Sequence, residues 1–171
     1  LEADRVGNNR EMNSLRSTNP ETIEAVTKRY AVDAITAAAK VGVHDIGENY
    51  AQELIKKRGI LENLDKEKNY RWHFIGNLQR NKVRKLSSSV FMWQSTDSFA
   101  LGEEIAKRCI SPKLLLQVNM TGAETQGGIP PSQVPSLIEK FEEFGIDVEG
   151  LMTIGASEDR DATLVCFQDL K

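Results

Sequence analysis

Thr22-Ile-Glu-Ala-Val-Thr27, followed at once by Lys28-Arg-Tyr30, is the stretch on which the fold turns. Its apolar and β-branched residues read as a short strand. An open dinucleotide-binding sheet needs a glycine-rich phosphate turn directly behind its first strand. This strand instead runs into a lysine, an arginine and a tyrosine, so that architecture loses its main support.

Strands and helices alternate on the C-terminal side of this stretch. A helix is predicted from Val32 to Lys40, stopped by Gly42, and a strand over His44–Gly47. A helix from Asn49 to about Lys57 follows, with Asn49 available as its N-cap. Tyr70–Ile75 reads as a third strand, Leu78–Leu86 as a basic helix and Val90–Trp93 as a fourth strand. Asp97 or Ser98 is placed to cap a helix in which Leu101, Ile105 and Cys109 fall on one face. Lys113–Val118 is apolar on both faces, as a strand covered on both sides should be. A polar loop over Asn119–Pro131 leads to a helix carrying Val134, Leu137, Ile138, Phe141 and Phe144, which Gly145 ends. Val148–Ile154 reads as a sixth strand, and Asp161–Lys171 begins another helix. On the N-terminal side, a polar helical lead-in to about Arg16 and a turn over Ser17–Pro20 are expected.

Six strand-helix units in sequence imply a parallel sheet with right-handed crossovers. A (β/α)8 barrel averages about 31 residues per unit, which matches this spacing. The expectation is a single α/β domain over residues 1–171, a TIM-type barrel short of its last two strand-helix units. The chain starts at Leu1 and stops at Lys171 inside a helical pattern, and by this count about 60 further residues would complete the barrel.

Composition narrows the function classes. Hydrophobic residues make up 40% and charged residues 27% of the 171, which is ordinary for a soluble globular domain. A net charge of −3, with both signs mixed along the chain, leaves no footprint for nucleic acid or an anionic membrane. No apolar run is long enough to span a bilayer. Cys109 and Cys166 lie far apart in helical patterns, which points away from a disulfide framework and toward a reducing compartment. The cytosol is expected, although composition does not separate it from the mitochondrial matrix. His44 and His73 share no metal-ligand spacing with each other or with the cysteines.

Barrels carry their chemistry at the C-terminal ends of the strands. Those ends here hold Lys28, Glu48-Asn49, His73 to Asn77, Ser95 to Asp97, Asn119 and Thr153 to Gly155. A lysine at a strand tip directs its amine to the barrel mouth, where partial desolvation favours the neutral form that attacks an aldehyde. From position alone, a lysine snorkelling at the strand end is the commoner reading. Glu48 and Asn49 could contact a ligand, or simply serve the start of the following helix. His73, between Trp72 and Phe74, reads first as a hydrogen-bonded core histidine. Arg80, Lys82, Arg84 and Lys85 read first as a solvated helix face, and Ser95 to Ser98 as a cap and turn. Gly122 to Gly128 is flexible by composition, either a lid or an ordinary loop.

In order, these strand ends match a known family. Ala25-Val-Thr-Lys28, Gly47-Glu-Asn-Tyr50 with Gln52-Glu53, Trp72-His-Phe-Ile-Gly76 with Leu78-Gln79 and Asn81-Lys82, Gln117-Val-Asn119 and Gly150-Leu-Met-Thr-Ile-Gly155 fall at compatible spacings. Over about Ala25 to Gly155 the chain resembles the pyridoxal-phosphate homeostasis proteins, also called proline synthetase co-transcribed homologues. The resemblance implies a barrel like the N-terminal domain of alanine racemase, with pyridoxal 5'-phosphate carried as a Schiff base on Lys28. It places Asn49 and His73 as pocket residues. It also implies a monomeric, non-catalytic binder that serves intracellular cofactor homeostasis, with apoenzymes that need the cofactor as recipients.

The chain departs from the family at Tyr30 and Ala31, where a lysine and a proline are usual, and at Gln126, where a lysine is usual. The family's phosphate-gripping segments belong to the last two strands. Two other readings stay open at this point. One is an amino-acid enzyme such as a racemase, with Tyr30 and Tyr50 as the tyrosines to test. The other is an interaction module without a cofactor.

Overall fold

The computed structural model describes residues 22–64, 69–156 and 159–171. The expected lead-in helix and the turn over Ser17–Pro20 lie outside the described residues. Six strands, β1 (Glu24–Val26), β2 (Asp45–Glu48), β3 (Arg71–Phe74), β4 (Met92–Thr96), β5 (Lys113–Gln117) and β6 (Gly150–Met152), form one sheet in sequence order. Every neighbouring pair is parallel. An open doubly wound sheet would reverse its strand order partway, and this one never does. The fold is therefore six-eighths of a parallel barrel, with β1 and β6 each paired on one side only among the described residues.

The helices are α1 (Val32–Lys40), α2 (Ala51–Leu64), α3 (Arg80–Leu86), α4 (Phe99–Arg108), α5 (Val134–Glu143) and α6 (Arg160–Leu170). Gly42 stops α1 as expected, with φ of 87°. Its amide bonds to the Ala39 carbonyl, and the Val43 amide reaches back to Ala38 at 3.0 Å, which satisfies two orphan carbonyls.

Alternation along the strands separates two faces. Ile46, Trp72, Phe74, Trp93, Leu114 and Leu116 are buried against Ile35, Leu54, Leu61, Val83, Leu86, Leu101, Ile105 and Phe141 of the helices. The residues between them on the strands face the barrel lumen, so the core is a shell between sheet and helices.

Several expectations shift. The α2 helix continues to Leu64 rather than stopping near Lys57, because Leu61 extends the buried row begun by Leu54. Strand β4 starts at Met92, not Val90, because the Val90 amide still closes the turn behind α3 onto Leu86. Ser95 and Thr96 consequently belong to the strand, where a register shift buries both, and do not form a cap. Ser98 occupies the N-cap of α4 but its side chain accepts no capping bond. Cys109 lies just past the end of α4, and burial pushes its thiol up from the ordinary value. Neither cysteine is in a disulfide.

The loop after β5 is tied down rather than free. Asn119 Nδ2 donates to the carbonyls of Ala123 and Gln126 at 2.9 and 3.0 Å, and Gln126 Nε2 donates to the Ile154 carbonyl at 2.6 Å. Gln126, where the resemblance leads one to expect a lysine, thus fastens the loop to the end of β6 through its amide.

Candidate functional site

A basin of about 880 Å³ occupies the lumen of the incomplete barrel, with Lys28, Asn49 and His73 all on its wall. The strand period explains why they meet. Glu24, Val26 and Lys28 follow one another at every second position along and just beyond β1, as do Arg71, His73 and Ile75 along β3, while Asp45 and Asn49, four positions apart, share one face along and just beyond β2.

Lys28 is exposed, and among the described residues no hydrogen bond or ion pair engages its amine. The partial desolvation expected for it is absent among the described residues. Asn49 does not cap α2 as expected, for its Oδ1 is buried and accepts no hydrogen bond among the described residues. Its backbone is packed hard against Gly76, where a Cβ would sit 2.2 Å from the Asn49 carbonyl oxygen. The glycine of the Trp72–Gly76 motif is thereby explained as room for the Asn49 turn.

Glu48 is not available to a ligand in the basin. It is fully buried on the helix side of β2, where its Oε1 pairs with Lys57 Nζ at 2.6 Å and accepts from Thr27 Oγ1 at 2.6 Å. The basic run of α3 is mostly a solvated face, as expected. Lys82 alone of the four is half-buried, on a smaller cleft of about 400 Å³ shared with Asn49, Tyr50 and Gln79.

His73 is buried and hydrogen-bonded, as its setting predicts. Nε2 lies 2.9 Å from Asp45 Oδ1, while Nδ1 lies 2.8 Å from Gln94 Nε2 and 3.1 Å from Glu24 Oε2. Arg71 Nε donates to Asp45 Oδ1 at 2.7 Å, and a second guanidinium nitrogen reaches Oδ2. This polar layer across β1 to β4 was not foreseen. Its signal is the pairing of Glu24, Asp45 and Arg71 at the same level of the sheet, which only the register supplies.

The two carboxylates are shifted in opposite directions. Burial pushes Glu24 above its ordinary value, against the pull of His73 and Gln94. Burial also works to raise Asp45, but hydrogen bonds from Arg71 and His73 outweigh it and hold the carboxyl below its ordinary range. A lowered carboxyl stabilises the fold above its unfolded-state value, and that stability is lost as pH falls through the folded-state value. The stability gap between wild type and Asp45→Asn should therefore narrow as the pH falls into the acid range. Denaturant titrations at several pH values read this, and a gap of constant size would mean that Arg71 and His73 do not hold the carboxylate.

The parallel sheet in sequence order is that of a barrel of the alanine racemase N-terminal-domain type. Alanine racemase of Clostridium difficile superposes with a TM-score of 0.67 at 15% identity, over 96% of this chain and 46% of the racemase, which speaks for the fold alone. The cyanobacterial protein PipY of Synechococcus elongatus, in a structure with pyridoxal phosphate bound, superposes with a TM-score of 0.73 at 27% identity, over 95% of this chain and 82% of PipY. No family model matches the chain. The pyridoxal phosphate homeostasis protein of Aquifex aeolicus is 38% identical over 144 residues, covering 81% of this chain and 61% of the relative. The human protein of the same name is 35% identical over 142 residues, covering 77% of this chain and 52% of the relative. The chain is a homologue of the pyridoxal phosphate homeostasis proteins, and it spans between about half and three-fifths of the length of these two.

Proposed function

We propose that this chain binds pyridoxal phosphate as a Schiff base on Lys28 and serves the homeostasis of that cofactor without catalysing a reaction of its own. One observation carries the reading. Lys28, its amine unengaged among the described residues, and Asn49 line the same lumen basin. The amine suits an aldehyde. Lys28 would hold the cofactor through its amine, and the cofactor would supply the aldehyde with which that amine condenses, with loss of water.

The chain's own residues bind and orient. His73 is fixed in the basin wall by Asp45 on one nitrogen and by Gln94 and Glu24 on the other. A histidine so enclosed shapes the pocket wall. Tyr30 and Tyr50, the tyrosines that a racemase reading would use, are exposed and share a second cleft of about 540 Å³ with Lys28 and Asn49, where Arg29 reaches the Tyr50 hydroxyl at 3.4 Å. The carrier is proposed to act as a cytosolic monomer that hands its cargo to apoenzymes. No helix among the described residues is long and apolar enough to cross a membrane.

Borohydride reduction after incubation with pyridoxal phosphate, followed by peptide mass mapping, tests the reading. The expected result is a pyridoxyl adduct on Lys28 that is lost in Lys28→Ala. Wild-type protein that carries no adduct on Lys28, or carries it only on other lysines, would overturn the proposal.

A further inference from the structure

Both peptide groups that adjoin the Lys28 Cα are gripped by side chains of α2. On one side the Thr27 carbonyl accepts a bond from Lys57 Nζ at 2.7 Å. On the other, the Arg29 amide donates to Glu53 Oε2 at 2.9 Å. The two gripping residues are themselves joined, with Lys57 Nζ 3.0 Å from Glu53 Oε2. Lys57 is buried, and its three donors are spent on Thr27, Glu48 and Glu53. Arg29 adopts φ of 63°, a left-handed conformation that a non-glycine residue holds only when its surroundings impose it. Just beyond, the Tyr30 amide closes a turn onto the Thr27 carbonyl at 3.0 Å. The backbone on either side of Lys28 is therefore fixed while its side chain is left free.

We infer that Glu53 and Lys57 are positioning residues for Lys28, a clamp that aims its amine into the lumen basin. The inference rests on the Schiff-base reading of Lys28. Nothing in the packing of α2 requires Glu53 to face β1, since its side chain is about one-third exposed and the helix core is made by Ala51, Leu54 and Leu61. Its bond to a backbone amide bordering the lysine ties the exposed side of the helix to the site, beside the buried bond from Lys57. Without it the left-handed turn at Arg29 loses its tether, and the amine samples directions away from the basin. A preorganised nucleophile reacts faster because less orientational freedom is lost on the way to the transition state.

The test compares wild type, Glu53→Ala, Glu53→Gln and Glu62→Ala. Glu62 is an exposed carboxylate on the same helix that pairs with Arg58 and serves as the control. The readouts are the rate at which Lys28 forms its borohydride-trapped adduct with pyridoxal phosphate, and hydrogen exchange of the Arg29 amide without cofactor. In wild type the Arg29 amide should be protected. Glu53→Ala should expose that amide and slow adduct formation about tenfold, the worth of one hydrogen bond to a charged group. Glu53→Gln keeps an acceptor and should recover most of the rate, and Glu62→Ala should match wild type. An adduct on wild-type Lys28 together with an unprotected Arg29 amide, or with an unchanged rate in Glu53→Ala, overturns the clamp and leaves the carrier reading intact. A wild-type chain that forms no adduct on Lys28 overturns both.

Discussion

Replacing Lys57 by methionine is expected to lower the unfolding free energy by about 3–5 kcal/mol, the range seen when one partner of a buried ion pair is removed. Methionine fills most of the space of the lysine stem, so the loss is not one of packing. It arises because Glu48, with no exposed surface, would be left in the interior without its cation, with the Thr27 hydroxyl as its remaining partner among the described residues. Its Oε2 already lacks a hydrogen-bond partner among the described residues, so nothing nearby can compensate. Denaturant titration of Lys57→Met reads the loss. The double variant Lys57→Met with Glu48→Gln removes the stranded charge and should recover a large part of it. If the double variant is no more stable than the single one, the damage comes from shape rather than charge, and the argument fails.

Phe141→Ala is the second large effect, again about 3–5 kcal/mol. Phe141 is the one fully buried side chain of α5, and Leu137 and Ile138 beside it are only partly covered. Its ring rests on bare backbone of α4 at Gly102, where a Cβ would approach to 2.3 Å, and lies 5.5 Å from the ring of Phe99. Truncation empties that contact, and with no side chain on Gly102 to move in, the cavity stays open. A shifted midpoint with an unchanged denaturant slope is expected, with a smaller loss for Phe141→Leu. A loss under 1 kcal/mol would show that α5 is held by its half-exposed neighbours instead.

Periodicity made the barrel legible. The strand-helix units and the stops at Gly42 and Gly145 came through because each depends on local residues, and the missing glycine-rich turn behind Thr27 removed the competing sheet. What failed to come through depends on distant partners. Lys57 breaks the apolar row of α2, so the helix looked finished there, yet in the structure it is part of the buried face with Glu48 beneath it. Asn49 has the right chemistry for a cap, but the close passage of Gly76 fixes its backbone and leaves its amide oxygen unsatisfied. Lys28, Asn49 and His73 could be named from motif order, and the structure gathers all three around one basin. Glu24, Asp45 and Gln94 could not be named, because their roles are set by register across four strands.

The unbroken order of the strands also bears on how the chain reaches its native state. Glu24 pairs with Asp45, Asp45 with Arg71, and so on to Leu115 with Gly150, so each strand finds its partner one unit away. The entropy of closing a loop grows only with the logarithm of its length, so each addition faces nearly the same barrier as the last. Such a sheet can be laid down in the direction of synthesis, strand upon strand, while the ribosome is still at work. The segment that carries Lys28 is gripped by α2, which follows it by one unit, so Lys28 can be set in place before β6 has emerged.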